Sequence, residues 1–199
     1  MKKGTNIMNK LKISVLILAM TLLATGGAAR AADTYQIDPV HSFASFSIGH
    51  LGIGLVRGYF SDIAGTIVFD EKDAAKDSIE VTIKTASVNT HVDKRDEDLR
   101  SPNFFEVEKY PTLSFKSRKI TKKGDHYSVT GDFTLHGVTK TITVTAKHLG
   151  AGKDPWGGFR SGFAADFTIK RSDYGMKYDA PPAIADRVDI SVAFEAVKK

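Results

Sequence analysis

The chain has no cysteine in its 199 residues. Disulfides, thiol catalysis and thiolate metal sites are excluded, as is lipidation of an N-terminal cysteine. No hydrophobic run after the first residues approaches membrane-spanning length. The one apolar run, Ile13 to Ala24, is too short to span a bilayer comfortably. It follows Lys2, Lys3, Lys10 and Lys12 and precedes the small-x-small pattern Ala29-Arg30-Ala31. Residues 1–31 are therefore expected to be a signal peptide cleaved after Ala31.

Net charge is lacking too, once that segment is removed. Residues 1–31 hold five of the 28 basic residues and no acid, which leaves 23 basic against 23 acidic residues. A neutral domain exerts no general pull on nucleic acid, so that partner class is set aside. The six histidines form neither an i, i+2 pair nor a His-Glu-x-x-His motif, and no metal site is assigned. No Gly-x-Ser-x-Gly elbow is present, and no catalytic residue is assigned.

What is present is alternation. Ile79, Val81 and Ile83 alternate with Glu80, Thr82 and Lys84, and Ile142, Val144 and Ala146 with threonines. Phe163, Ala165, Phe167 and Ile169 repeat the pattern, and Val188 to Phe194 closes the chain with it. One apolar and one wet face per strand is the mark of antiparallel sheets. The expected strands are 34–50 (broken near Asp38-Pro39), 57–69, 78–88, 112–120, 125–135, 138–149, 159–171 and 186–196. His136-Gly137 reads as a hairpin turn and Gly150 to Gly158 as a loop. Residues 32–199 therefore read as a single all-β domain, a barrel or a sandwich. Alternation alone does not distinguish a solid core from a lined cavity, although most of the 12 phenylalanines have inward parity.

The stretch from Thr90 to Pro111 breaks the pattern. Its charge run, "HVDKRDEDLR", reads as a short helix capped by Asp93, within a helical insertion at about 92–110. His91 and Arg95, four apart, are expected to stack one above the other. Phe104 and Phe105 follow and are exposed unless something covers them. Asp96 held by Arg95 or Arg100 would suit acid–base work. A solvated helix whose arginines tie down neighbouring loops is the plainer reading.

The segment "HVDKRDEDLRSPNFFEVEKYPTLSF" resembles the YceI family of exported polyisoprenoid-binding proteins. "IDPVHSFASFSIGHLGIGLVRGYF", "GDFTLHGVTKTITVTAKHLG", "DPWGG" and "DYGMKYDAPPAIADRVDISVAFEA" resemble other parts of that family in the same order. The resemblance implies an eight-stranded antiparallel lipocalin-like barrel in the periplasm, non-enzymatic and without a cofactor. Its lumen would hold a long-chain isoprenoid or quinone-like lipid for transport, storage or sequestration. On this reading the ligand would meet Phe46, Ile48, Phe60, Leu99, Phe104, Phe105, Phe115, Phe133, Leu135, Phe163, Phe167 and Met176. His91 and Arg95 would brace the mouth or meet a headgroup. Expected partners are the lipid, a membrane surface met transiently and, as a further candidate, a second copy. The competing expectations are a lipid-modifying enzyme using His91 and Asp96, and an interaction protein with a filled barrel.

Overall fold

The computed structural model describes residues 32–199. The expected signal peptide lies outside the described residues. Among the described residues, eleven strands and one α-helix follow one another. The strands are β1 (Asp33–Ile37), β2 (Phe43–His50), β3 (Gly54–Phe60), β4 (Ile63–Phe69), β5 (Ser78–Lys84) and β6 (Val88–Asn89). The helix α1 (Asp93–Arg100) comes next, then β7 (Thr112–Lys123), β8 (His126–Leu135), β9 (Val138–Lys153), β10 (Phe159–Lys170) and β11 (Ile184–Lys198).

Eight strands close a ring in the order β1-β4-β5-β7-β8-β9-β10-β11, and β11 returns to β1 through Tyr35↔Lys198 and Ile37↔Ala196. Every pairing is antiparallel. Three of the expected strands are each cut in two. β1 and β2 part at Pro39–His41, where Asp38 Oδ1 accepts from the Val40 amide at 3.0 Å. β3 and β4 part at Ser61-Asp62, and β5 and β6 at the helical turn Thr85–Ser87. The breaks let β1 stay with β4 while β2 continues along the other half of β11, from Ala193↔Phe43 to Ile184↔His50, with β3 on its far side. β9 and β11 outrun their expected ends because each keeps a paired neighbour there.

Hairpin chemistry follows the turn residues. His136 and Gly137 both take positive φ, 50° and 74°, which suits the twist of β8 and β9. Gly58 has a different role. A Cβ there would lie 2.5 Å from the Phe46 ring, so the missing side chain lets that ring lie over β3.

The wall thins beyond β3. Among the described residues its only further neighbour is the two-residue β6, paired through Tyr59↔Asn89 and Phe60↔Val88. The connection carrying α1 follows β6 and supplies lining of its own. Arg100 fastens it, donating to the carbonyls of Ala86 at 2.9 Å and Val88 at 2.8 Å. Asp93 and Asp96 in the first turn and Arg100 in the last complement the helix dipole.

Two local expectations need correction. The N-cap is Val92, with no side-chain capping bond, and Asp93 is the first helical residue. His91 does not stack on Arg95. It sits before the helix at φ 62°, where its amide donates to Asn89 Oδ1 at 2.9 Å, and the i, i+4 geometry does not extend to it. Its ring instead lies against Tyr59, centroids 5.6 Å apart.

Candidate ligand-binding site

The barrel is hollow. A cavity of about 390 Å³ runs inside it, a volume in the range of small-molecule sites. Nine of the 12 phenylalanines line it, so their inward parity faces open space as well as neighbouring side chains. Its wall includes Phe46, Ile48, Phe60, Leu99, Phe104, Phe105, Phe115, Phe133, Leu135, Phe163, Phe167 and Met176. Arg95 lines it as well, whereas His91 does not. Phe104 and Phe105 turn inward rather than staying exposed, Phe104 buried and Phe105 packed edge-on against Phe60 at 5.5 Å.

Attention to aromatic residues left out much of the wall. Ile79, Val81, Ile83, Val144, Ile190 and Val192 also line the cavity. Ile190 and Val192 share the parity of Phe194 on β11, and Ile79, Val81, Ile83 and Val144 hold the apolar positions of their own alternating strands, so the alternation could have named them. Arg171 also lines it, and no feature of the sequence around it marks it out.

One end is floored by aromatic rings. Phe69 lies 4.7 Å from the ring of His148, 5.2 Å from Phe163 and 5.7 Å from Tyr127. His148 Nε2 and Ser161 Oγ are 2.9 Å apart, and burial pushes the imidazole pKa down, which favours the neutral form.

The opposite end carries the polar groups. Of the polar lining side chains, Arg95 and Asp98 belong to α1, His50 ends β2 and Arg171 opens the helical turn just after β10, all remote from the floor, and only Ser45 lies deeper. His50 and Asp98 are exposed, so the cavity reaches the surface beside them. Arg95 is held in place: Nε donates to Thr90 Oγ1 at 2.8 Å and Nη2 to the Thr90 carbonyl at 2.9 Å. Thr90 in turn donates to the buried Asp96 through its amide at 2.8 Å and its hydroxyl at 2.6 Å. Asp96 thus closes a loop-bracing network and does not line the cavity.

Arg171 is the second anchor. It is 4% exposed and donates to five carbonyls, those of Met176, Tyr178, Asp179, Ile184 and Ala185, at 2.6–3.3 Å. Burial lowers its pKa from the ordinary arginine value, but guanidinium stays charged in proteins. One cation therefore shapes the whole segment between β10 and β11. That segment meets the α1 connection through Phe104 and Tyr178.

Among the described residues, metal-ligand side chains gather at Asp38, His41 and Glu195. Arg160 already occupies this group, with Nη1 2.6 Å from both Asp38 Oδ2 and Glu195 Oε1. The guanidinium and His41 hold the Asp38 carboxyl down to about 2. An ion there would compete with a fixed cation.

The YceI-like domain model matches residues 35–196. The chain belongs to the YceI-like family. Protein YceI of Escherichia coli O6:H1 is 45% identical over 181 residues, 90% of this chain and 94% of that protein. The YceI crystal structure from Campylobacter jejuni superposes with a TM-score of 0.68 at 34% identity, covering 74% of this chain and 87% of that one. A polyisoprenoid binding domain from Saccharophagus degradans has the same fold, with a TM-score of 0.63 at 18% identity over 85% of this chain and all of that one.

Proposed function

We propose that this YceI-like barrel is a periplasmic lipid-binding protein. It holds a long-chain isoprenoid or quinone-like amphiphile in its lumen and carries, stores or sequesters it. The observation that carries this reading is the lumen itself: apolar along its length but for Ser45, floored by aromatic rings, with its charged groups gathered toward its open end. A lipid with one polar end and a branched hydrocarbon tail has the same polarity profile. The polyisoprenoid binding named for the Saccharophagus degradans domain supports the same ligand class.

Burying one CH₂ is worth about 0.8 kcal/mol against water, so a five-carbon isoprene unit contributes about 4 kcal/mol before any polar contact. A few units outweigh a hydrogen bond, whose net worth is about 1 kcal/mol. In a bilayer the same tail is already dry, so transfer from membrane to barrel is nearly balanced. Such a balance suits a carrier that both loads and unloads. It requires no catalytic residue, and neither His91 nor Asp96 faces the lumen.

The deciding experiment is native mass spectrometry of the protein recovered from its own host, followed by organic extraction. Bound species in the mass range of long-chain lipids, released on extraction, are expected. Protein that carries none and takes up none would refute the proposal.

A further inference from the structure

The hairpin between β2 and β3 ends in large apolar side chains that are mostly exposed. Leu51 is 53% exposed, Ile53 89% and Leu55 65%. The backbone of the tip stands clear, since a Cβ added at Gly52 or Gly54 would meet no atom within 4 Å. Just inward, the same two strands line the cavity through Ile48, Gly49, His50 and Val56. The Leu51 amide donates to the Ala183 carbonyl at 2.9 Å, which fixes the tip to the segment that Arg171 holds. Val92 and Tyr178, both 45% exposed, add apolar surface on the two other elements that border the mouth.

Single exposed apolar residues are ordinary on soluble domains. Three on one five-residue tip, continuous with an apolar lumen, form an interaction surface. We infer that this tip is a membrane-docking element. Leu51, Ile53 and Leu55 enter the bilayer surface and bring the mouth to the hydrocarbon. A lipid tail then passes between bilayer and lumen without crossing water. The inference rests on the lipid-binding reading above and adds the partner surface and the residues that meet it.

A bilayer fits better than a second copy or another protein because the apolar surface continues into the lumen, where only a lipid has reason to follow. Charge is not the attraction. Lys94, Arg95, Arg171 and Lys177 near the mouth are offset by Asp93, Glu97, Asp98 and Asp179. Docking is therefore driven by apolar insertion, largely independent of salt and of anionic lipid.

The absence of cysteine makes the test direct. Ile53→Cys and, away from the mouth, Val40→Cys each give one attachment site for an environment-sensitive NBD fluorophore. Mixed with phosphatidylcholine vesicles, the label at 53 is expected to brighten and shift to the blue, while the label at 40 stays as in buffer. In an otherwise unmodified chain, Ile53→Asp is expected to weaken vesicle co-sedimentation about tenfold or more, since a carboxylate is costly at membrane depth. It should slow uptake of dansyl-geranylgeraniol from vesicles to a similar degree and leave uptake of the same probe from cyclodextrin unchanged.

A silent label at 53, or equal responses at 53 and 40, overturns the docking assignment. So does a response at 53 that follows protein concentration without vesicles, which would place a second copy on the tip. If the unmodified protein takes up no probe from cyclodextrin, the lipid-binding reading itself fails. If that uptake succeeds and the vesicle responses are missing, only the docking surface is lost.

Discussion

Phe104 and Tyr178 meet edge to face across the mouth, with centroids 5.4 Å apart and ring planes at 72°. They join the connection after α1 to the segment before β11, and no backbone hydrogen bond between those two stretches does the same. An edge-to-face pair adds about 0.5–1.5 kcal/mol beyond area burial. Tyr178→Ala should therefore open the mouth about 2- to 12-fold more often. Release of bound lipid to acceptor vesicles should accelerate by a similar factor. Stopped-flow transfer of a fluorescent isoprenoid reads this out, and an unchanged rate would show that the pair does not gate the lumen.

Phe105 lines the lumen and packs against Phe60. Replacing it by Asp puts a carboxylate where the tail would lie, and lipid co-purification should be abolished. The barrel strands do not depend on it, so the β-type circular dichroism should remain. Lipid retained by Phe105→Asp would remove this residue from the site.

Filling the lumen separates a hollow barrel from a packed one. Ala165 lines the cavity from β10. In a close-packed core, Ala165→Phe would cost about 1–3 kcal/mol through overpacking. In a hollow barrel the ring enters open space, so urea stability should stay within about 1 kcal/mol of the parent. Extracted lipid should be shorter or absent. A large loss of stability would mean that the side chain finds no room.

Arg171 is expected to resist even its nearest substitute. Lysine has three donors on one atom and lacks the planar fork that reaches five carbonyls. Each buried carbonyl left unpaired costs about 1–3 kcal/mol. Arg171→Lys should destabilise the fold by at least about 2 kcal/mol, measured by urea denaturation. Amide exchange should quicken most between residues 176 and 185.

Asp77 predicts a pH dependence away from the lumen. Burial is the main cause that raises its pKa from 3.8 to about 6, helped by the nearby carboxylates of Asp70 and Asp73. Oδ1 accepts from the Asp70 amide at 2.7 Å, while Oδ2 is buried with no partner. Between about pH 4 and pH 6 the folded chain holds a proton that the unfolded chain has lost, so this group's contribution to stability falls as pH rises through that window. Asp77→Asn removes the charge and keeps the Oδ1 acceptor. It should raise the melting temperature at about pH 7.5 and change it little at about pH 4. Equal effects at both pH values would show that ionisation of Asp77 is not the cause.

Much of the fold was legible as alternation. The course Ile79–Val81–Ile83 reads as a two-faced strand in one dimension because side chains on a strand alternate by geometry alone. The break at Asp38-Pro39 was also legible, since Pro39 opens the turn and Asp38 caps it. The breaks at Ser61-Asp62 and Thr85–Ser87 carry no such signal. At the first, the chain serves β2 through β3 before the break and β1 through β4 after it; at the second, it serves β4 through β5 before the break and β3 through β6 after it. His91 falls outside the i, i+4 spacing because it is itself left-handed, its amide held by Asn89, and the helix begins only at Asp93, two positions after it.

The sequence by itself determined which residues face inward: period-two alternation is a property of each strand and needs no partner. Whether those inward residues meet one another or enclose space was decided only by closure of the sheet. The pairing of Ile37 with Ala196, 159 positions apart in the chain, sets the girth of the ring. At that girth the phenylalanines stop short of the axis, and the lumen stays open.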